Sequence, residues 1–389
     1  MKKFELPGKI KNILIAFIAV GVVSLVAGFI VQPQRAWAGF LAFTFFLIIL
    51  ALGGGFFTAL QVMSGSIWSV VVRRLPELSV NIIPVIAILL LGVFLGIPNL
   101  YEWSHPEAAN DHILHQKHWY LNIAGFVIRI VIFVVLWFFM GRWMKKISLK
   151  MDETKDPNAK KTLLKVATAY MLIFAYTFLF ASIDLVMSLE PHWYTTMFII
   201  YAFAGMVFST FAGIIILVVT VQRNGGLKEA NAEHLHDLGR FLLAFTAFWA
   251  YIALSQHMLT WYANLTEETI YLERRLRDGW ALFTPLLWIF HFVVIFLILL
   301  SREIKRKPEK LIKVAWFALF MGFVDVIWMV YGFLDSKTLG FPFQWMEAGL
   351  FFGAVGVAGY VILTSYTKVN QVPIGDPQLQ ESLDFHQTY

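Results

Sequence analysis

The sequence contains no cysteine, which excludes disulfide bonds, iron–sulfur clusters and covalently bound c-type haem within this chain. Charged residues are scarce as well: they make up 14% of the 389 residues, whereas soluble domains carry about 25%. Instead, 59% of the residues are hydrophobic and the mean hydropathy is +0.70. This balance predicts an integral membrane protein. The net charge of +6 does not indicate a nucleic-acid partner, because the basic residues cluster in loops between apolar runs.

Ten runs of the sequence are apolar and long enough for a membrane-spanning helix, which needs about 20 residues. They cover residues 12–31, 37–63, 79–97, 119–140, 162–189, 193–221, 238–259, 279–300, 311–331 and 343–365. We therefore predict an all-α membrane protein with ten transmembrane helices. The first run precedes Ala36-Trp37-Ala38, which resembles a signal-peptidase site. Since the run is too long for the apolar part of a signal peptide, we predict a retained first span.

Lysine and arginine are distributed unevenly between the loops on the two sides of the predicted spans. Most of the 31 lysines and arginines lie near the chain termini or in every second loop. Because cytoplasmic loops carry the excess of positive charge, both termini are predicted to be cytoplasmic. The outer loops are rich in Trp, Tyr, His and carboxylates, and we expect them to contact another protein. The polar tail 367–389 contains two prolines and is predicted to be an irregular cytoplasmic arm.

Two pairs of similar segments indicate an internal duplication. VIRIVIFVVLW in span four aligns with IFHFVVIFLIL in span eight, which matches Arg129 to His291. IDLVM in span five aligns with VDVIWM in span nine, which matches Asp184 to Asp325. Both offsets are four spans, so we predict two four-helix bundles, spans 2–5 and 6–9, with spans 1 and 10 flanking them. The alternative is chance similarity between two unrelated helix pairs.

The duplication divides the chain into five parts. An N-terminal segment with the first helix covers 1–36, and the two bundles cover 37–192 and 193–334. The tenth helix lies in 335–366, and the cytoplasmic tail covers 367–389.

An ionisable side chain inside a membrane span costs about 2.5–3.5 kcal/mol on insertion scales, so it is expected to have a partner. Depths counted along the helices predict two pairs, Arg129–Asp184 and, provided that span nine extends to Leu334, His291–Asp325. These pairs fit a proton path or a quinone head-group site, but they also fit buried pairs that only fix helix register. Arginine cannot release a proton at working pH, whereas histidine titrates near neutrality.

The remaining histidines do not predict a metal or haem site. His112, His115 and His118 recur every third residue and can share one helix face, but no acidic or cysteine ligand joins them at metal-site spacing. We interpret this stretch as a solvated loop that packs on a partner. A b-type haem needs two histidines at matching depth on facing helices. His257 lies near the outer end of its span and His291 lies mid-span, so no haem is expected.

Four stretches resemble a known family. They are KHWYLNIAGFVIR (117–129), SIDLVMSLEPHWYTTMFIIYAFAG (182–205), FWAYIALSQHMLTWYANLTEETIYLERR (248–275) and DVIWMVYG (325–332). They are similar to the polysulfide-reductase-type (NrfD-like) membrane subunits, most closely to the second of the two quinone-binding-type membrane subunits of bacterial alternative complex III. The resemblance covers spans two to ten and implies ten spans with two four-helix units.

The resemblance implies a subunit of a respiratory quinol:electron-acceptor oxidoreductase in the bacterial inner membrane. The implied partners are a multihaem cytochrome c, an iron–sulfur protein and a sister NrfD-like subunit, which is the one generally assigned the quinol site. Haem c and the iron–sulfur clusters would belong to these partners, so this chain binds no cofactor of its own, although a quinone is possible.

Carried over to this sequence, the matching stretches place further site candidates near the outer face. They are Asp184, Glu190, His192, His257, Glu267 and Glu268. Relatives carry an aromatic residue at the position of His257, which argues against an essential role for it.

Three functional hypotheses remain open at the level of the sequence. The first is a cofactor-free subunit that anchors the complex and provides a polar proton path linked to quinol oxidation. The second is a quinol-binding catalytic subunit in its own right. The third is a free-standing secondary transporter, which would need Gly or Pro interruptions at equivalent positions of the two units. The sequence shows no such pair.

Overall fold

The computed structural model describes residues 3–154, 157–334 and 340–386. Within these ranges the chain is 81% helical and contains no strand. Ten of the described helices are long and apolar enough to cross a membrane. The predicted fold class is therefore confirmed, and the chain has the architecture of a multi-pass membrane protein.

We number these ten helices α1 to α10 in chain order. They are Gly8–Val31, Pro33–Met63, Arg74–Leu95, Ile123–Thr154, Pro157–Leu185, Met197–Arg223, Ala232–Ala263, Trp280–Leu300, Pro308–Tyr331 and Trp345–Tyr366. Because the helices cross in alternation, the start of α1 and the end of α10 lie on one face, which we call the terminal face. The opposite face is the loop face.

Two of the helices are irregular. A 3₁₀ turn at Leu78–Ile82 interrupts α3. In α8, Pro285 precedes a π-helical turn at Ile289–Val294. Proline removes a backbone donor, and π turns are frequent at functional sites. The irregularity in α8 is therefore the more relevant of the two to a search for a functional site.

The helices form the two predicted bundles, α2–α5 and α6–α9. Helix α2 also packs against α6 and α9 and so joins the bundles, while α1 lies along α10 at the side of α2. The buried share of each helix agrees with this arrangement. In an 18-residue apolar segment of each helix, 89% of the residues are buried in α2, against 22% in α4 and 17% in α1. Helix α2 is therefore central, and the exposed apolar faces of α1 and α4 are suited to lipid contact.

A run of three glycines, Gly53–Gly55, lets three helices approach α2 closely, as small residues do in membrane proteins. A Cβ atom on the first glycine would lie 1.7 Å from the Thr210 hydroxyl of α6. On the second it would lie 2.3 Å from the Ser79 hydroxyl of α3, and on the third 2.1 Å from the Tyr170 hydroxyl of α5. The glycines therefore set how closely α2 contacts both its own bundle and the other one.

Residues 367–386 of the polar tail fold back across the terminal face. As predicted it is largely irregular, with one short helix at Leu379–Leu383, but it is packed rather than free. The buried carboxylate of Asp376 pairs with Arg73 at 2.7 Å and with Lys160 at 3.1 Å. Further along, Asn231 of the α6–α7 loop donates to the Phe385 carbonyl at 3.0 Å. The tail thus connects terminal-face loops of both bundles.

At the loop face, a buried ion pair joins α2 to α10. Arg35 donates from Nε and Nη2 to the two oxygens of Glu347, both at 2.8 Å, and the Tyr331 hydroxyl of α9 donates to Glu347 Oε1 at 2.7 Å. Arg35 is 5% exposed and Glu347 is fully buried. Because neither charge reaches water, each depends on the other.

Replacing Glu347 by alanine is expected to destabilise the protein by about 3–5 kcal/mol, because it leaves the Arg35 guanidinium buried without a counter-ion. Thermal unfolding of the detergent-solubilised protein measures this effect. Glu303→Ala removes an exposed glutamate that pairs with Lys307 and serves as the control, with no measurable change in Tm expected. Equal Tm values for the two variants would contradict the prediction.

Candidate functional site

The first predicted pair, Arg129 of α4 with Asp184 of α5, is present. Arg129 donates from Nε to Asp184 Oδ2 at 2.9 Å and from Nη2 to Oδ1 at 3.0 Å. Asp184 is fully buried, and the Arg129 side chain is 21% exposed. This two-point contact satisfies both carboxylate oxygens and fixes the guanidinium plane.

Asp184 occupies the last turn of α5, where the helix unwinds into a 3₁₀ turn at Met187–Leu189. Unwinding frees backbone carbonyls, and aromatic side chains from the α3–α4 loop bind two of them. The Tyr101 hydroxyl donates to the Leu185 carbonyl at 2.9 Å, and Trp103 Nε1 donates to the Ser188 carbonyl at 3.1 Å. The loop therefore stabilises the end of the helix that carries Asp184.

The guanidinium of Arg129 is further held by Tyr120. It lies 3.9 Å from the centroid of the Tyr120 ring and donates from Nη1 to the Tyr120 carbonyl at 3.0 Å. With these contacts the charge is balanced and the donors are largely used. Since arginine stays protonated, this pair holds α4 and α5 in register and has no exchangeable proton of its own.

The second predicted pair, His291 with Asp325, is wrong. Asp325 of α9 is 1% exposed, and its partners are two neutral donors. The Tyr201 hydroxyl of α6 donates to Oδ1, and Trp249 Nε1 of α7 donates to Oδ2 at 3.1 Å. Among the described residues, Asp325 therefore has hydrogen bonds but no cationic partner.

His291 is fully buried in the π turn of α8 and is stacked between two aromatic rings. Its ring centroid lies 4.1 Å from that of Phe208 and 3.8 Å from that of Trp249. Neither ring nitrogen has a hydrogen-bond partner among the described residues. Helix α9 ends at Tyr331, so Asp325 lies roughly 9 Å below its loop-face end, whereas His291 lies roughly 17 Å below the loop-face end of α8, and the depths do not match.

Trp249 contacts both His291 and Asp325, the two residues that the sequence analysis had paired directly. Its ring stacks on His291, and its Nε1 donates to Asp325. A further polar atom, the buried hydroxyl of Ser209 on α6, has no hydrogen-bond partner among the described residues. All four helices of the second bundle thus contribute polar side chains to its interior.

Gly205, between Tyr201 and Ser209 on the same face of α6, leaves room for the carboxylate. A Cβ atom there would lie 3.0 Å from Asp325 Oδ2.

Glu190 joins the two bundles at the loop face. It is 7% exposed, and its Oε1 lies 2.8 Å from Nη2 of Arg275, which is 1% exposed. Arg275 also lies 3.5 Å from the centroid of the Tyr271 ring and donates to the backbone carbonyl of Trp328 at 3.2 Å. Sequence reasoning missed Arg275 because it was counted only as a loop charge. Its aromatic neighbour four residues earlier was the available signal.

His192 lies at the surface and contacts the α3–α4 loop. Its Nε2 is 2.9 Å from Asp111 Oδ2, and Asp111 caps the short helix His112–Lys117 through its other oxygen. The hydrogen bond to His192 and those to the helix N–H groups lower the pKa of Asp111. This pair connects two loops and is separate from the buried groups.

The other histidines of this loop, His112, His115 and His118, are exposed. No group of three metal-ligating side chains occurs in the part of the chain that the structure describes.

The remaining candidates have different surroundings. Glu267 and Glu268 are exposed in the first turn of the short helix Thr266–Arg274. His257 lines a cavity of about 270 Å³ together with Tyr201, Gln256 and Arg275. The structure therefore brings His257 close to the polar interior of the second bundle and leaves the two glutamates outside it.

A second, more polar cavity of about 330 Å³ lies at the loop face. Glu190, His192, Arg274, Glu102 and His105 are among the residues that line it. It reaches Glu190 at the junction of the bundles, whereas the cavity with His257 reaches Tyr201.

Comparison with known proteins adds no family assignment. The sequence matches no protein-family model and no curated protein sequence. The functional interpretation therefore depends on the four similar stretches described above and on the geometry of the polar interior.

Arg129→Met is expected to destabilise the protein by about 3–5 kcal/mol, because Asp184 would stay buried without its cation. The double variant Arg129→Met/Asp184→Leu removes both charges and should recover much of this loss. Thermal unfolding of Arg129→Met, Asp184→Leu and the double variant measures the coupling energy between the two side chains. A double variant no more stable than Arg129→Met would contradict the assignment of this pair as a closed ion pair.

Proposed function

We propose that this protein is the integral membrane subunit of a respiratory quinol:electron-acceptor oxidoreductase of the alternative complex III type. It anchors the complex and provides a polar proton path through its second bundle, linked to quinol oxidation. The observation that carries the proposal is the buried carboxyl of Asp325, which is held by the neutral donors of Tyr201 and Trp249.

The two buried aspartates differ in what proton uptake would do to their surroundings. If Asp184 took up a proton, the Arg129 cation would be left buried and unpaired, which is strongly unfavourable. If Asp325 did so, its neutral partners would remain neutral. Asp325 is therefore suited to exchange a proton, and an acid inside a membrane span without a fixed counter-ion is typical of proton relays.

The path begins at the cavity that His257 and Tyr201 line. It continues to Asp325, to the imidazole of His291 and to the Ser209 hydroxyl. Carboxyl, imidazole and hydroxyl groups all transfer protons. Buried polar atoms without a protein partner are usually satisfied by water, so we infer water beside His291 and Ser209. Trp249 donates only and so positions the relay groups.

The terminal face is taken as cytoplasmic, since the sequence concentrates lysine and arginine there. The loop face then lies on the outer side of a bacterial inner membrane, where protons from quinol would be released. The partners proposed for this side are a multihaem cytochrome c and an iron–sulfur protein, with a sister membrane subunit beside the bundles. Haem c and the iron–sulfur clusters belong to these partners, because the chain has no cysteine to bind them.

The secondary-transporter alternative is disfavoured by the irregular helices. A transporter built from repeats breaks its helices at equivalent positions of the two units. Here the 3₁₀ turn lies in α3, whose counterpart α7 is continuous, and the π turn lies in α8, whose counterpart α4 is continuous. The interruptions therefore do not form an equivalent pair.

Isolation of the full-length protein from its native membrane in mild detergent is expected to bring down partners that contain haem and iron–sulfur clusters. Optical spectra of the reduced haem and metal analysis of the purified fraction measure this. Recovery of a stable chain without redox-active partners would contradict the proposed complex and favour the transporter.

Asp325→Asn is expected to slow proton-coupled quinol oxidation by roughly 10²-fold or more, since a lost proton-transfer group typically costs this much. The amide keeps the size of the side chain, so assembly of the complex should be unchanged. Turnover and proton release per electron in proteoliposomes measure the effect, and Asp384→Asn, at an exposed carboxylate of the tail, is the matched control. Wild-type turnover and proton release in Asp325→Asn would leave only the anchoring role.

A further inference from the structure

A cavity of about 220 Å³ lies at the loop face, between the end of α5 and the segment that leads into α4. We call it the α4–α5 pocket. Lys117, Trp119 and Tyr120 line it from the segment before α4, and Met187 and Tyr194 line it from the segment after α5. Pockets for whole drug-sized ligands have volumes of roughly 300–1,000 Å³. The α4–α5 pocket therefore fits one end of a larger molecule.

Two exposed aromatic side chains in its wall place the pocket at the level of the lipid head groups. Trp119 is 81% exposed and Tyr194 is 72% exposed. Tryptophan and tyrosine concentrate at this level of a membrane, because their rings are apolar and each carries one polar N–H or O–H group. The pocket therefore lies where water and lipid meet.

One face of α5 leads from the pocket toward the hydrocarbon region of the membrane. Ile183 lines the pocket, and Phe180 and Tyr176 precede it at spacings of three and four residues, so all three side chains share a face of the helix. Both Phe180 and Tyr176 are exposed. A ligand with its polar end in the pocket can therefore lay an apolar chain along this face of α5.

The charged group at the pocket is the half-buried ammonium of Lys117. Its Nζ donates to the Pro191 carbonyl at 2.6 Å and lies 5.3 Å from the centroid of the Tyr194 ring. Lys117 forms no ion pair with a carboxylate in the part of the chain that the structure describes. The nearby carboxylate whose charge acts on it, Asp111, is already bound by His192 at 2.9 Å.

The ammonium of Lys117 is therefore suited to an anionic ligand. An ammonium has three N–H donors, and only one of them is used by Pro191. Burial lowers the pKa of Lys117, because the charged form loses water, and an anion beside it would offset this loss. The indole N–H of Trp119 is a further donor in the wall of the pocket.

We propose that the α4–α5 pocket binds the phosphate head group of a glycerophospholipid from the leaflet at the loop face. The phosphodiester pairs with Lys117 and accepts from the indole of Trp119, and one acyl chain lies along Phe180 and Tyr176. No carboxylate is found among the described residues that line the pocket, so nothing there binds the amine of a zwitterionic head group. An anionic lipid such as phosphatidylglycerol is therefore preferred. This inference does not depend on the proposed respiratory function.

The test is photolabelling of the protein as purified from its membrane, with whatever partners accompany it. The protein is placed in phosphatidylcholine nanodiscs that contain a phosphatidylglycerol with a diazirine beside its phosphate. Labelled peptides are identified by mass spectrometry and are expected at residues 117–121 and 187–194. Excess unlabelled phosphatidylglycerol should suppress this labelling. Inorganic phosphate at the same concentration should not, because it has no acyl chain to hold it at the membrane surface.

Lys117→Met removes the charge and keeps much of the length of the side chain. It should reduce labelling of the pocket by roughly tenfold or more, the effect of one lost charge-assisted hydrogen bond, whereas Lys117→Arg should retain the labelling. Arg277→Met removes an exposed cation from the same face outside the pocket and is the matched control, with unchanged labelling expected. Trp119→Leu, at a largely exposed side chain, should reduce labelling by roughly threefold without a change in Tm.

Labelling of these two segments that phosphatidylglycerol suppresses and Lys117→Met loses supports the inference. Wild-type labelling in both Lys117→Met and Trp119→Leu overturns it, and so does suppression by inorganic phosphate or by a quinone but not by phospholipid. An unlabelled pocket also overturns it. Cross-linking of Lys117 to a carboxylate of a partner protein would then identify that protein as the occupant.

Discussion

The fold depends on one constraint, which is that a polar group inside a membrane must find its partner within the protein. The chain meets this constraint near its loop face with three buried ion pairs, Arg35–Glu347, Arg129–Asp184 and Arg275–Glu190. Each pair connects segments that are distant in sequence or on different helices, so the same contacts that neutralise charge also fix how the helices sit. Asp325 departs from this arrangement, because its hydrogen-bonding partners are neutral.

In the alignment that predicts a duplication, this departure falls at equivalent positions of the two bundles. The aligned positions hold Arg129 and His291, and the aspartates match across the same offset. Arginine requires a carboxylate beside it, and Asp184 is bound to it at two points. With histidine at the second position, the imidazole can remain neutral and stack on aromatic rings, which leaves the carboxylate to bind neutral donors. At the aligned positions the first bundle therefore holds a charged pair, whereas the second holds a carboxyl group that is bound by neutral donors.

Most of the architecture was predictable because the membrane simplifies it: length and hydropathy identify ten spans, and the four-span offset gives the two bundles. The Arg129–Asp184 pair was predictable because it lies on adjacent helices whose depths a regular rise measures well. The partners of Asp325 were not, since α9 ends at Tyr331 and so does not bring Asp325 to the depth of His291, and Tyr201 and Trp249 carry no charge to signal a role. Arg275 was missed because a loop arginine is usually interpreted as a topology marker, and only tertiary packing shows its burial.

The π turn of α8 is a local departure from regular α-helix geometry within the second bundle, and the residues around it indicate its effect. It presents His291 to Phe208 and Trp249, while Pro285, which has no backbone N–H, lies one turn earlier in the same helix and lines the cavity shared with Tyr201 and His257. Both irregularities therefore lie beside residues of α7. A regular helix would direct the side chains of this turn differently, so the π turn contributes to placing the imidazole beside Trp249, which also donates to the buried carboxyl of Asp325.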